Sequence, residues 1–218
     1  MERGRSRFCF TFARPPSMLT VEDFGSDLFG PVGLVLRSGE CATIEGPSGA
    51  GKSLLLRGLA DLDVTTGRVA LDGRPRERFK PEIWRRTVAL VPAETGWWAD
   101  RVGEHFPSGP TGEFAALSEA LGLEKEIFQW RVDRLSSGER HRLALMRSFL
   151  LTPRVLLLDE PTGSLDKKSV ERVEKLVLKI LQHGVAVLIV THDEDQPARL
   201  KARRHRMEAG KLILEPGR

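Results

Sequence analysis

The chain has 218 residues, 40% of them hydrophobic and 29% charged, with no low-complexity tract and no internal repeat, so it reads as one folded domain with subdomains. Its net charge of +4 rests largely on residues 1–17, where Arg3, Arg5, Arg7 and Arg14 stand against Glu2, four positive charges less one negative. The remainder is close to neutral, which argues against a nucleic-acid partner, and no run approaches the roughly 20 apolar residues that a membrane-spanning helix needs.

Residues 1–17 are arginine-rich and poor in acids, as in a transit peptide or a membrane-surface segment, but Pro15 and Pro16 end any helix early. They are read as a dispensable extension, with the functional domain expected over 18–218. From 19 to 45, short apolar segments punctuated by Gly25, Gly30, Gly33 and Gly39 predict hairpin strands leading into a buried strand at 41–44. The two cysteines, Cys9 and Cys41, have no metal-ligand spacing and are expected to be reduced thiols in the cytosol. A glycine-rich turn follows, and leucines at 54, 55, 56, 59 and 62 then predict a helix over 53–62.

Segments 69–72 and 87–91 predict strands separated by a polar stretch holding Pro75 and Pro81. Between 93 and 135 the character becomes helical, with pieces at 114–121 and 124–130 behind a loop at 106–112. An inserted helical subdomain is expected over about 94–150. A helix at 139–151, a strand at 155–158, a helix at 167–182 and a strand at 185–190 complete the pattern. Alternation of helices with continuous apolar strands predicts an α/β fold whose parallel sheet is covered on both faces.

Residues Gly46, Pro47, Ser48, Gly49, Ala50, Gly51, Lys52 and Ser53 form a complete GxxxxGKS loop between a predicted strand and a predicted helix. Glycines let successive N–H groups turn inward onto phosphate oxygens, and the helix adds its positive N-terminus. Lys52 would reach the outer phosphates of ATP, and Ser53 would offer its hydroxyl to Mg²⁺. Downstream, the strand at 155–158 delivers Asp159 and Glu160. Asp159 suits a magnesium ion, and Glu160 can polarise an attacking water. Taken alone this acidic pair is a weak signal, since many strands end in a solvated acid.

Three further segments change its weight: Leu135-Ser136-Ser137-Gly138-Glu139 before a helix, Gly163-Ser164-Leu165-Asp166 after the acidic strand, and Val190-Thr191-His192-Asp193 after the next. Together, and in this order, they resemble the signature, the D-loop and the switch histidine of ABC ATPases, with the resemblance covering residues 19 to about 215. The family implies a RecA-like P-loop core with an N-terminal antiparallel β subdomain and an inserted helical subdomain. It implies two copies packed head to tail, with each ATP between Gly46 to Ser53 of one and Ser136 to Glu139 of the other, where Ser137 and the helix N-terminus face the γ-phosphate. Glu160 is then the general base, His192 senses the γ-phosphate, Asp166 links the two sites, and Ser53 and Asp159 hold Mg²⁺. The implied setting is the cytoplasmic face of the cell membrane, reached through a separate permease that sets the substrate. Lys80-Pro81-Glu82-Ile83-Trp84 and the short length resemble the small single-domain ATPases of bacterial transporters of the iron-exporter type.

Three positions depart from the family pattern. There is no tyrosine to stack on adenine; Phe24 or Phe29 would serve, or both belong to the core. Val91-Pro92-Ala93-Glu94 lacks the expected glutamine, leaving Glu94 either as its substitute or as an exposed loop acid. Trp97 and Trp98 are either subdomain core or the anchor of a permease-docking surface. ABC ATPases of translation or DNA repair fit less well, since the chain has a single P-loop and only 84 positions, 136 less 52, separate Lys52 from Ser136. A module that binds ATP without hydrolysing it leaves the complete set of Asp159, Glu160 and His192 unexplained.

Overall fold

The computed structural model describes residues 18–215, so the expectation for residues 1–17 lies outside the described residues. The chain opens with a hairpin of β1 (Met18–Ser26) and β2 (Phe29–Arg37), then β3 (Cys41–Glu45) and α1 (Lys52–Leu59). β4 (Thr66–Leu71), the short β5 (Arg74–Pro75), α2 (Pro81–Thr87) and β6 (Val88–Val91) follow. Between β6 and the next strand lie α3 (Gly112–Ala120), α4 (Ser137–Leu150) and three 3-10 turns. β7 (Val155–Asp159), α5 (Lys167–Gln182), β8 (Ala186–Val190), α6 (Gln196–Arg199), β9 (Arg203–Glu208) and β10 (Lys211–Leu214) complete it.

Two sheets result. One is antiparallel, in the order β2-β1-β4-β5, and the other runs β10-β9-β3-β8-β7-β6, parallel throughout except for its edge strand β10. Every residue of β7 and β8 is buried, as expected for central strands covered on both faces. Side chains alternate faces along a strand. Leu156 and Leu158 of β7 therefore join Val187 and Ile189 of β8 in a core shared with α4 and α5. Val155 and Leu157 join Ala186 and Leu188 in a second core with α1 and the antiparallel sheet. Cys41 is buried, and burial beside Glu40 pushes its thiol up to about 12, so it is an inert core group.

The structure corrects several local expectations. The polar stretch before β6 holds α2, with Pro81 at its first helical position, where a missing N–H costs nothing. Its Trp84 is fully buried, donates from Nε1 to the Leu59 carbonyl at 2.9 Å, and meets Phe79 edge-on at 5.2 Å. The helix expected at 124–130 is reduced to a 3-10 turn at Ile127–Gln129. Long-range pairing accounts for this: Val102 N–H donates to Trp130 O at 2.9 Å and Arg101 bridges Arg131, which draws this stretch into extended backbone. β9 and β10 carry no strand pattern in the sequence, because half of β9 is arginine and only His205 and Met207 are buried.

Trp84→Ala is expected to cost about 3–5 kcal/mol, the range for deleting a large buried aromatic. Urea unfolding monitored by circular dichroism would measure it, and a loss below about 1 kcal/mol would show that α2 is not a structural tie to α1.

Candidate functional site

The phosphate-type loop leaves β3 beside β9. At Gly46, φ is +142°, and a Cβ there would lie 2.2 Å from the Met207 carbonyl oxygen, so both conformation and space demand glycine. Gly51, at φ +100°, precedes α1 without any side-chain cap, which leaves the first N–H groups of the helix for an anion. Lys52 is only 6% exposed, and its Nζ donates to the carbonyls of Gly46 at 2.8 Å and Pro47 at 2.9 Å. Burial lowers the pKa of this ammonium, while the carboxylates of Glu160 and Asp159 oppose the shift. A cation held by neutral carbonyls at an uncapped helix N-terminus suits a phosphate chain.

Asp159 ends β7 at 7% exposure. Burial pushes its carboxyl above the ordinary range, partly offset by a hydrogen bond from Ser53. Its Oδ1 is buried without a hydrogen-bond partner. A hydroxyl and an orphaned carboxylate oxygen side by side fit Mg²⁺, a hard cation that takes few protein ligands and completes its shell with water and phosphate. No cluster of three acidic, histidine or cysteine side chains able to hold a metal occurs among the described residues.

Glu160 follows in the left-handed region at φ +49°, a conformation that costs a non-glycine residue roughly 1–2 kcal/mol. Its N–H donates to Val190 O at 2.9 Å, which ties the turn to β8. Its Oε1 lies 3.3 Å from Nε2 of His192, and both side chains are about half exposed. Lys52, Ser53, Asp159, Glu160 and His192 thus gather at one end of the parallel sheet.

The Ser136–Glu139 segment is elsewhere in its bonding. Ser136 caps α4, accepting from Glu139 N–H at 3.3 Å, while the Glu139 carboxylate accepts from Ser136 N–H at 2.9 Å and from its hydroxyl at 2.7 Å. Asp166 caps α5 through Ser169, at 3.1 Å to the N–H and 2.6 Å to the hydroxyl, and this bonding holds its carboxyl below the usual range. Arg142 donates to the same Ser169 hydroxyl at 2.7 Å, joining α4 to α5. Ser136 and Ser137 are exposed, and the hydrogen bonds of the cap stay within the segment rather than reaching the phosphate-type loop.

Neither candidate for the adenine platform is available as a surface ring. Phe24 is fully buried and Phe29 is 5% exposed, the two rings tilted against each other at 5.9 Å, so both are core. Sequence reasoning passed over Leu28, 71% exposed at the hairpin tip beside a cavity of about 430 Å³ that also meets Leu54, Arg57 and Val64. A leucine in a turn carries no pattern that could single it out. Ala93 and Glu94 are exposed after β6. The tryptophans divide: Trp97 packs on the core, Trp98 is 69% exposed, and both lean on buried His105 at 4.7 and 4.4 Å. Arg147 lies over each ring, at 5.4 and 4.7 Å.

Residues 29–163 match the model of the ABC transporter family. The chain is 33% identical over 195 residues to the aliphatic sulfonates import ATP-binding protein SsuB 2 of Agrobacterium fabrum, covering 88% of this chain and 74% of that one. It is 34% identical over 171 residues to the "Probable iron export ATP-binding protein FetA" of Escherichia coli, covering 74% and 76%. Against the putrescine transport ATP-binding protein PotG of the same species it is 35% identical over 205 residues, covering 89% of this chain and 54% of PotG. A solved bacterial Atm1-family ABC exporter with ATP bound shares the fold at a TM-score of 0.78 and 22% identity, with 91% of this chain laid on 38% of that one.

The raised carboxyl of Asp159 gives a stability prediction. As pH rises above the ordinary carboxylate range, the unfolded chain releases this proton before the folded chain does, so folding loses stability across that window. Asp159→Asn, neutral at every pH, is therefore expected to melt a few degrees higher than the parent at neutral pH, with the gain vanishing near pH ~3. Thermal scans at the two pH values decide it; a variant that melts lower at neutral pH contradicts the desolvation argument.

Proposed function

This chain belongs to the ABC transporter family, as an ATP-binding protein whose ATP hydrolysis is coupled to transport, and we propose that two copies close head to tail on ATP beneath a separate membrane permease. The observation that carries the reading is the contact of Glu160 with His192 at 3.3 Å, beside the orphaned oxygen of Asp159 and the Lys52 loop. Lys52 exchanges its two backbone carbonyls for phosphate oxygens of ATP. Ser53 and Asp159 would hold Mg²⁺, which would neutralise charge on the phosphates. Glu160 orients and deprotonates the attacking water, and His192 holds that carboxylate while facing the γ-phosphate.

The remainder of the nucleotide site comes from the second copy, through Ser136, Ser137, Gly138 and Glu139, with Asp166 at the joint. Support comes from the exposure of Ser136 and Ser137 at a helix N-terminus whose own hydrogen bonds stay local. One self-complementary surface then makes two equivalent sites. No helix among the described residues is long and apolar enough to cross a membrane; on this reading the permease supplies the membrane-spanning part. Exposed Trp98, braced by Arg147 and His105, is the anchor for that docking. Relatives at 33–35% identity are named for sulfonates, iron and putrescine, which supports a cargo set by the permease.

Lys52→Ala is expected to abolish binding of a fluorescent ATP analogue while the circular dichroism spectrum stays that of the parent; retained affinity would remove the loop from the site. Glu160→Gln is expected to keep ATP affinity and slow hydrolysis by roughly 10²- to 10⁴-fold, the usual loss of a general base. Because this variant traps the closed state, size-exclusion chromatography should show a dimer with ATP and a monomer without it. A variant that stays monomeric with saturating ATP argues against head-to-tail closure.

A further inference from the structure

We propose that Glu174 is a positioning residue, a buried carboxylate that clamps the loop after β7 to the loop after β8 and so keeps Glu160 against His192. The inference rests on the reading of these two residues as the reacting pair. Their contact is not fixed by packing, because both side chains are about half exposed and Glu160 sits at a strained φ. The backbone ladder between β7 and β8 ends at Asp159 and Val190, with one further bond from Glu160 N–H to Val190 O. Past that point the two loops are joined through side chains that converge on Glu174.

One arm runs toward Glu160. Gln196, only 1% exposed, donates from Nε2 to Glu174 Oε1 at 3.1 Å and to the Thr162 hydroxyl at 3.0 Å. Thr162 lies two positions past Glu160, in a turn closed by Gly163 N–H on Glu160 O at 3.2 Å. The other arm runs toward His192. Arg199 grips Glu174 from Nε at 2.9 Å and from Nη2 at 2.8 Å, and the same Nη2 reaches Asp193, the neighbour of His192. Asp193 is itself fixed by its N–H on the Thr191 hydroxyl and by accepting from Asp195 N–H, both at 3.0 Å.

The fold gives no reason for a carboxylate at this place. Glu174 is 7% exposed, on a helix whose buried neighbours Val173 and Val177 are core aliphatics. An apolar side chain there would avoid desolvating a charge, and such exchanges are often neutral or stabilising. What an apolar residue does not supply is a point that binds Gln196 and Arg199 together and thereby sets the spacing of two loops. A displacement of about 1 Å in a reacting group can cost up to about a hundredfold in rate.

The test compares Glu174→Gln, Asp193→Asn, their double variant and Glu160→Gln in the full chain. Sites are counted by stoichiometric binding of a fluorescent ATP analogue, so that rates refer to folded, nucleotide-binding protein. Glu174→Gln is expected to lower kcat per site roughly tenfold or more while KM for ATP stays within about twofold. Asp193→Asn, on the half-exposed side of the clamp, should lower kcat in the same sense even if Glu174→Gln folds poorly. The double variant should be little worse than the worse single, since both cut one connection. Parental kcat in both single variants, with Glu160→Gln slow, would overturn the clamp and leave the assignment of the base intact. Parental kcat in Glu160→Gln would instead overturn the assignment on which the clamp rests.

Discussion

Three neighbouring parallel strands end level with one another: Ile44 of β3 pairs with Val190 of β8, and Val190 pairs with Asp159 of β7. That register decides where the chemistry stands. The residues at and just past each strand end, 45–53, 159–160 and 191–193, begin at the same height, so a phosphate-type loop, an acidic pair and a histidine meet although they lie far apart in sequence. A slip of one residue in any of these ladders would turn Asp159 or its neighbours to the opposite face. β7 and β8 have aliphatic side chains in both cores, so each is covered on its two faces up to this level.

Such a rigid base lets the loops carry arrangements that are unfavourable by themselves. Lys52 is a nearly buried ammonium, Asp159 is a carboxylate with one unpartnered oxygen, and Glu160 holds a left-handed backbone conformation. Each works against folding; Asp159 and Glu160 stand at the end of β7, and Lys52 follows β3 through the loop 46–51. These arrangements stay at or beyond the ends of the strands, whose hydrogen bonding is regular up to Asp159 and Val190.

How far this was legible in the sequence follows from the range over which each signal acts. β7 and β8 declare themselves by unbroken aliphatic runs, and the loop from Gly46 to Ser53 by glycine spacing, all within a few residues. Lys52 is marked by that spacing, Asp159 and Glu160 only weakly by their strand, and His192 takes its role from the family resemblance. The short α2 was hidden because its key residue, Trp84, is one apolar group in a polar stretch whose partner, Leu59 O, is 25 positions away. The stretch at 124–130 has helical composition, but its pairing with Val102 overrides local preference. Phe24 and Phe29 were aromatic in the right region, and only the packing of the hairpin against α1 shows that they are core. The convergence of Gln196 and Arg199 on Glu174 joins three elements through ordinary polar residues, and no spacing rule would have found it.

The two halves of the chain's surface chemistry are mechanically connected, and this bears on the proposed closure. Gly138 at the start of α4 is close to Leu165, since a Cβ on it would lie 3.4 Å from Leu165 Cδ2. Leu165 N–H donates to Thr162 O at 3.1 Å, and the Thr162 hydroxyl receives Gln196 of the Glu174 cluster. Arg142 adds a second strut by binding the Ser169 hydroxyl that holds Asp166. A nucleotide pressed onto the exposed serines of α4 by a second copy would therefore load the same turn that carries Glu160. On the proposed reading, seating of ATP at one interface is felt by the base of the other site in the same chain through a path of direct contacts, without any rearrangement of the sheet between them.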